Sequence, residues 1–384
     1  MDKNIYNPEK LQTAYYSCEH GTGMADKIKD AILQADLHND IRHMFLFRAE
    51  LCEEAAWYLD RADTVKVFKE LLDIADSHPG TEFGGFIYHR IPWKEFLLWT
   101  YETFLDVVKS FYNIPLEECK GYINDFSKRW TAYGYDEREP YRMNLELCFE
   151  TGNMEEAAGL WEKYIKMPLV FNDINKGGHL SRDTKTYAYL PTEIKYYLAN
   201  NQLQKAGKIL DRIQVMHTTA GIGHIYSVMS RAMRIFLEYY IINGNYEKAA
   251  EISGRLEHSN RDEKEFIFHA SFMCSYVYTK TGRGMRIYRN YWEEWENEKN
   301  PQYRYYIFKN TACFFKALKK AKGTDTIKIR TGNTFPFYNE DKIYNIEMLC
   351  NYYYKKAEEI ARKFDQRNGT GCYIERLEKS FANA

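Results

Sequence analysis

Apolar residues recur every three or four positions along most of the chain, the period of a helix that buries one stripe. Between Asp40 and Leu59, the residues Ile41, Phe45, Leu51, Cys52, Ala55 and Leu59 keep that spacing, while Arg42, Arg48, Glu50, Glu53 and Glu54 fall elsewhere. This predicts a helix with one buried face. Val65, Phe68, Leu71, Leu72 and Ala75 continue the period as far as Ser77-His78-Pro79-Gly80, so the two runs predict a first helical hairpin. Further helices are predicted from Pro92 to Tyr112 and from Pro115 to Tyr133. No segment alternates convincingly with period two, and no strand is predicted. All nine prolines are expected at the edges of periodic segments, where a missing N–H costs a helix least. Four stretches are expected to be non-helical: Pro79 to Pro92, Pro168 to Pro191, Gln214 to Gly223 and Gly323 to Asp341.

Three breaks between amphipathic runs share a pattern. Gly152, Asn201 and Gly244 each supply a residue that tolerates the left-handed conformation, which ends one helix and starts the reversal into the next. A large residue stands four before each break (Cys148, Tyr197, Tyr240), and an alanine stands five after it (Ala157, Ala206, Ala249). Nine after it come Trp161, Leu210 and, breaking the pattern, Ser253; twelve after it come Tyr164, Ile213 and Leu256. Gly282 marks a weaker fourth copy, with Tyr278, Ile287 and Tyr291 in the corresponding places and Glu294 failing the last. The predicted fold class is all-α, an α-α superhelix of helical hairpins arranged as a tetratricopeptide-like solenoid. One elongated domain over residues 1–384 is expected. Within it, 1–135 holds divergent hairpins, 136–300 the clearest repeats, and 301–384 capping helices with a loop at 323–341.

The segment from Trp130 through Arg138 and Tyr141 to Gly152, and again Ile242-Asn243-Gly244-Asn245, resembles a bacterial family of divergent tetratricopeptide-repeat proteins. The run from Ala357 to Gly369 is similar to the closing helix of that family. The stretch from Pro168 to Pro191 departs from the family: where some members carry a cysteine pair, this chain has Gly178-His179-Leu180-Ser181-Arg182-Asp183. The resemblance implies protein–protein recognition and supplies no catalytic residues.

Composition narrows the function classes. Lys+Arg 53 against Asp+Glu 54 leaves a formal net charge of −1, so no global field draws the chain to nucleic acid or an anionic membrane. The 8 cysteines form no CxxC pair, which argues against a zinc knuckle or a disulfide framework. The 33 tyrosines and 7 tryptophans are expected to fill helix seams, with some lining a binding groove as the alternative. The start of the chain lacks the apolar core of a signal peptide, and no apolar run approaches the ~20 residues of a membrane span. A cytoplasmic location is therefore expected.

No P-loop, GxGxxG, GxSxG or HExxH pattern occurs, and the short turns His20-Gly21-Thr22-Gly23 and Gly221-Ile222-Gly223-His224 follow no strand. No enzyme, cofactor or metal is inferred. His38 and His43 miss the i,i+4 metal spacing, and Glu293, Glu294, Glu296 and Glu298 read as a solvated helix end. Two basic stretches, Lys280, Arg283, Arg286 and Arg289 beside aromatics, and Lys309, Lys316, Lys319, Lys320, Lys322, Lys328 and Arg330, leave a nucleic-acid-associated protein as the alternative reading. The first reading is a non-enzymatic scaffold or regulator that binds a protein or peptide carrying acidic groups. Its binding residues would line the first helix of each hairpin: Arg142, Glu146 and Phe149; Lys195 and Leu198; Arg231, Arg234 and Glu238; Phe272 and Tyr276.

Overall fold

A computed structural model of the chain describes residues 6–59, 61–83, 92–167, 182–220, 223–259 and 266–384. These residues are predominantly helical, with sequence neighbours packed on one another. They divide into two compact units, one of residues 1–144 with 166–182 and the other of residues 145–165 with 183–384.

The first unit contains α1 (Pro8–Tyr16), α2 (Thr22–Leu37), α3 (Ile41–Tyr58), α4 (Arg61–Ser77), α5 (Trp93–Lys109), α6 (Leu116–Ala132) and the start of α7 (Arg138–Thr151). The hairpin predicted from Asp40 to Ala75 is α3 with α4. Two earlier helices precede it, and α3 packs on α2, α4 and α5. For that reason α3 is buried on more than the predicted face: Leu46, Phe47, Ala49 and Ala56 join Phe45, Leu51, Cys52 and Ala55 in the core. Arg48 is buried with them because its guanidinium donates to Asp36 at 2.8 and 2.9 Å and to Glu70 at 3.1 Å. A charge that is fully paired in this way can enter a seam that apolar periodicity assigns to solvent. Aromatic stacking of Phe68 on Phe104, centroids 4.1 Å apart, joins α4 to α5.

The second unit takes the rest of α7 and continues through α8 (Met154–Tyr164), α9 (Arg182–Ala199), α10 (Leu203–Ala220), α11 (Gly223–Ile242), α12 (Tyr246–Ser259), α13 (Phe266–Ser275), α14 (Thr281–Asn297) and α15 (Pro301–Lys322). It closes with a two-stranded hairpin, β1 (Thr326–Lys328) and β2 (Ile343–Asn345), followed by α16 (Ile346–Asn368) and α17 (Cys372–Ala382). The three predicted reversals fall between helices, with left-handed φ of 76° at Gly152, 56° at Asn201 and 70° at Gly244. Ala157, Ala206 and Ala249 are buried, as are Tyr164, Ile213 and Leu256. Ser253, the exception in the pattern, is buried too, because Ser275 Oγ donates to its hydroxyl at 2.8 Å. Besides their hairpin partners, α11 packs on α13 and α13 on α15, so alternate helices also form a row.

Four expectations need correction. Gly282 is no reversal: the chain turns at 276–279 without glycine, and Gly282 lies in the first turn of α14. Pro191 lies inside α9, where the burial of Leu190, Ile194 and Leu198 offsets the missing backbone hydrogen bond. Residues 214–220 are helical, completing α10, and α11 begins at Gly223. The stretch after Gly323 holds antiparallel strands pairing Thr326 with Asn345, Ile327 with Tyr344 and Lys328 with Ile343. Each strand has three residues and one inward side chain, too few to establish a period. Residues 84–91 and 168–181, which hold most of the other two expected loops, lie outside the described residues.

Candidate functional site

The residues assigned to a binding face lie on helices whose register the elbows set. Glu146, Lys195 and Glu238 occupy the same place, six residues before Gly152, Asn201 and Gly244. Their charges alternate, and the structure uses that alternation internally. Buried Glu146 on α7 accepts from Thr192 Oγ1 at 2.8 Å and from Lys195 Nζ at 2.5 Å, both on α9. Lys195 also lies 3.6 Å from Glu150. Burial would lower the Lys195 pKa, but Glu146 and Glu150 reverse the balance and hold it above the ordinary lysine value.

The arrangement repeats one hairpin pair further on. Glu238 on α11 accepts from Ser271 Oγ on α13 at 2.5 Å, and from Lys309 Nζ and Asn310 Nδ2 on α15 at 2.9 and 3.0 Å. Burial opposes ionisation of this carboxyl. Lys309 and the hydrogen bonds from Ser271 and Asn310 outweigh burial, so its pKa falls below the usual value. In each latch, one carboxylate ties its own helix to the hydroxyls and cations of the following first helices. Lys309 is 1% exposed, and Tyr305 through Leu318 are buried almost without interruption. Over this stretch α15 is therefore interior and presents no face to a partner.

The predicted aromatic positions are also interior. Phe149, Phe272 and Tyr276 are buried, and the Tyr276 hydroxyl donates to Glu257, which pairs with Arg283 at 2.8 Å. Arg142, in the first unit, is buried against Glu139, its Nε donating to the two carboxylate oxygens at 2.8 and 2.9 Å. Arg234 stacks its guanidinium 3.8 Å above the Phe268 ring centroid. Arg231 differs: its side chain is 45% exposed and approaches Glu146 only at 3.9 Å. The reachable part of the set is thus Arg231, with half-buried Lys195, Arg234 and Glu238 beside it.

Thr192, Ser271 and Asn310 carry no signal in the sequence, and Lys309, read there as part of a basic stretch, is interior. The signal available for Lys309 was the apolar density on both sides of it, Tyr305 to Phe308 and Ala312 to Phe315, which marks α15 as interior. Both basic stretches are partly absorbed in the same way: Arg283 pairs with Glu257, and Lys319 with Asp325 at 3.1 Å and Glu347 at 2.8 Å. Arg286, Arg289, Lys322, Lys328 and Arg330 remain exposed. At the acidic end of α14, Glu296 is not solvated but pairs with Lys356 and accepts from Tyr352 at 3.3 Å.

One further cluster lies in the first unit. Glu50, Glu53 and Glu54 occupy one turn of α3, where Glu50 accepts from Tyr16 and Glu54 accepts from Gly21 N at 2.5 Å beside His20 at 2.8 Å. Burial, with the neighbouring charges of Glu53 and Glu54, pushes the Glu50 carboxyl up to about 7, although the Tyr16 hydrogen bond pulls the other way. A carboxyl raised on folding stabilises fully below its unfolded value, and that stabilisation is lost as pH rises through the folded one. The melting temperature is expected to fall between about pH 5 and about pH 8, and Glu50→Gln should flatten that slope. An unchanged slope in the variant would contradict the assignment.

Among the described residues, no group of His, Cys, Asp or Glu side chains is placed to hold a metal ion, and no helix is long and apolar enough to cross a membrane. None of the eight cysteines forms a disulfide, and six of them are buried. No protein-family model matches the chain, and no curated protein matches it either.

Proposed function

We propose that the chain is a non-enzymatic helical-repeat protein, built as a tetratricopeptide-like solenoid, that binds a protein or peptide through its first-helix face. The observation that carries this reading is the contrast between Arg231 and its neighbours. Glu146 and Glu238 are engaged by internal donors, whereas the Arg231 guanidinium is half exposed with its nearest carboxylate at 3.9 Å. A planar fork of donors in that position suits a carboxylate supplied from outside. Lys195 beside it adds positive potential, and the buried ion pairs hold the helices that present both residues.

The expected ligand is an extended or helical segment with paired Asp or Glu residues. Fluorescence anisotropy with a panel of labelled peptides, acidic and basic versions of the same sequences, tests this. Arg231→Glu should weaken the best acidic binder by about tenfold or more, on the order of 1.4 kcal/mol, with helicity unchanged by circular dichroism. Equal affinity for the wild type and the variant would contradict the proposal.

A further inference from the structure

The helix α17 is seated in a bed built by α7, α11, α15 and α16 within the second unit. Its buried positions Tyr373, Leu377 and Ser380 lie along one face at spacings of four and three, the anchor pattern of an amphipathic helix in a groove. Tyr373 stacks on Phe364 with centroids 4.5 Å apart and meets Tyr305 edge-on at 4.8 Å.

The polar contacts are more specific. The last three carbonyls of α7 and the last of α11 lie beyond the reach of backbone donors in their own helices. Thr370 Oγ1 donates to the Thr151 carbonyl at 2.7 Å, Cys372 Sγ to that of Glu150 at 3.5 Å, and Arg376 to that of Phe149. Asn383 Nδ2 donates to the Ile242 carbonyl at 2.9 Å. Four side chains on or flanking α17 therefore complete two helix ends.

The elbows beneath α17 are shaped for it. A Cβ on Gly152 would stand 2.4 Å from Cys372 Cβ, and one on Gly244 would stand 3.0 Å from the Asn383 carbonyl oxygen. The third elbow makes the same left-handed turn with Asn201, so the turn alone does not require glycine. The two glycines admit close approach by a helix.

Attachment of α17 is correspondingly local. Gly369, left-handed at φ 68°, and Gly371 flank the link from α16. The first amides of α17 are capped from outside, Tyr373 N and Ile374 N each donating to Asp365 at 2.9 Å. A helix of 11 residues does not persist alone in water, so departure from the bed is coupled to melting.

We infer that this bed is a helix-binding site whose resident occupant is α17, and that an amphipathic partner helix with an aromatic anchor and an arginine three residues later competes for it. The site uses carbonyls and glycines at helix ends and none of the side chains assigned to acidic-peptide binding, so either reading can fail without the other.

The test uses the full chain carrying Arg376→Ala and Asn383→Ala, which weakens the resident helix and leaves the bed intact. The probe is a fluorescent peptide of residues 369–384. The peptide should bind this variant at least about tenfold more tightly than the wild type, and a peptide carrying Arg376→Ala should bind neither. Equal binding to both proteins, or none, would overturn the inference. Hydrogen exchange on the wild type gives an independent reading. The α17 amides should exchange at least about tenfold faster than those of α15, through local opening; exchange at the α15 rate would show that α17 leaves only on global unfolding and would equally overturn it.

Discussion

Gly152→Ala is expected to destabilise the protein by about 2–5 kcal/mol, the sum of about 1–2 for a side chain in left-handed backbone and about 1–3 for overpacking. Both contributions are local and visible: φ is 76°, and the new methyl would meet Cys372 Cβ at 2.4 Å. Gly244→Ala should cost less, because its nearest neighbour stands at 3.0 Å. Asn201→Gly, where the residue already tolerates its φ of 56°, should change stability by less than about 1 kcal/mol. Urea denaturation of the three variants measures the order. A Gly152→Ala midpoint equal to that of the wild type would mean that α17 does not press on the elbow.

Glu238→Leu should cost about 3–5 kcal/mol, because it strands the buried Lys309 ammonium without its carboxylate. Adding Lys309→Met should restore most of that loss, because an apolar pair of similar volume removes both desolvation penalties. The direction with pH follows from the lowered Glu238 pKa. A carboxyl depressed on folding stabilises above its unfolded value, near 4.5, and that contribution disappears as pH falls through the folded value. Acid denaturation of the wild type should therefore draw on this latch, and the double variant should lose that part of the acid sensitivity. Additive costs for the two substitutions, measured as a double-mutant cycle, would contradict a coupled pair.

The elbows were legible in the sequence because each depends on short-range chemistry: a residue fit for positive φ, a buried alanine five after it and a buried bulky residue twelve after it. Ser253 broke the pattern without breaking the structure, since a hydroxyl partner on Ser275 replaced bulk with a hydrogen bond. The turn after α13 was misplaced because it reverses without glycine.

The binding face was harder to read. Charge at a helical position reports neither burial nor partner, and two of the three partners that engage Glu238 come from α15, some seventy residues away. Lys309 consequently looked like part of a basic surface and is interior. The role of α17 was equally hidden, since Asn383 and Ile242 meet across 141 residues of chain. Paired polar residues such as Arg48 and Glu146 follow no apolar period, so only the fold reveals which charges remain for an outside ligand.

The most direct test of the account is a charge-swap titration at Arg231, with anisotropy read for one acidic peptide and its lysine counterpart. The wild type should prefer the acidic peptide, and Arg231→Glu should reverse that preference, each by about tenfold. A preference that stays the same in both proteins would mean that this guanidinium does not face the ligand, and the proposed first-helix recognition would be wrong.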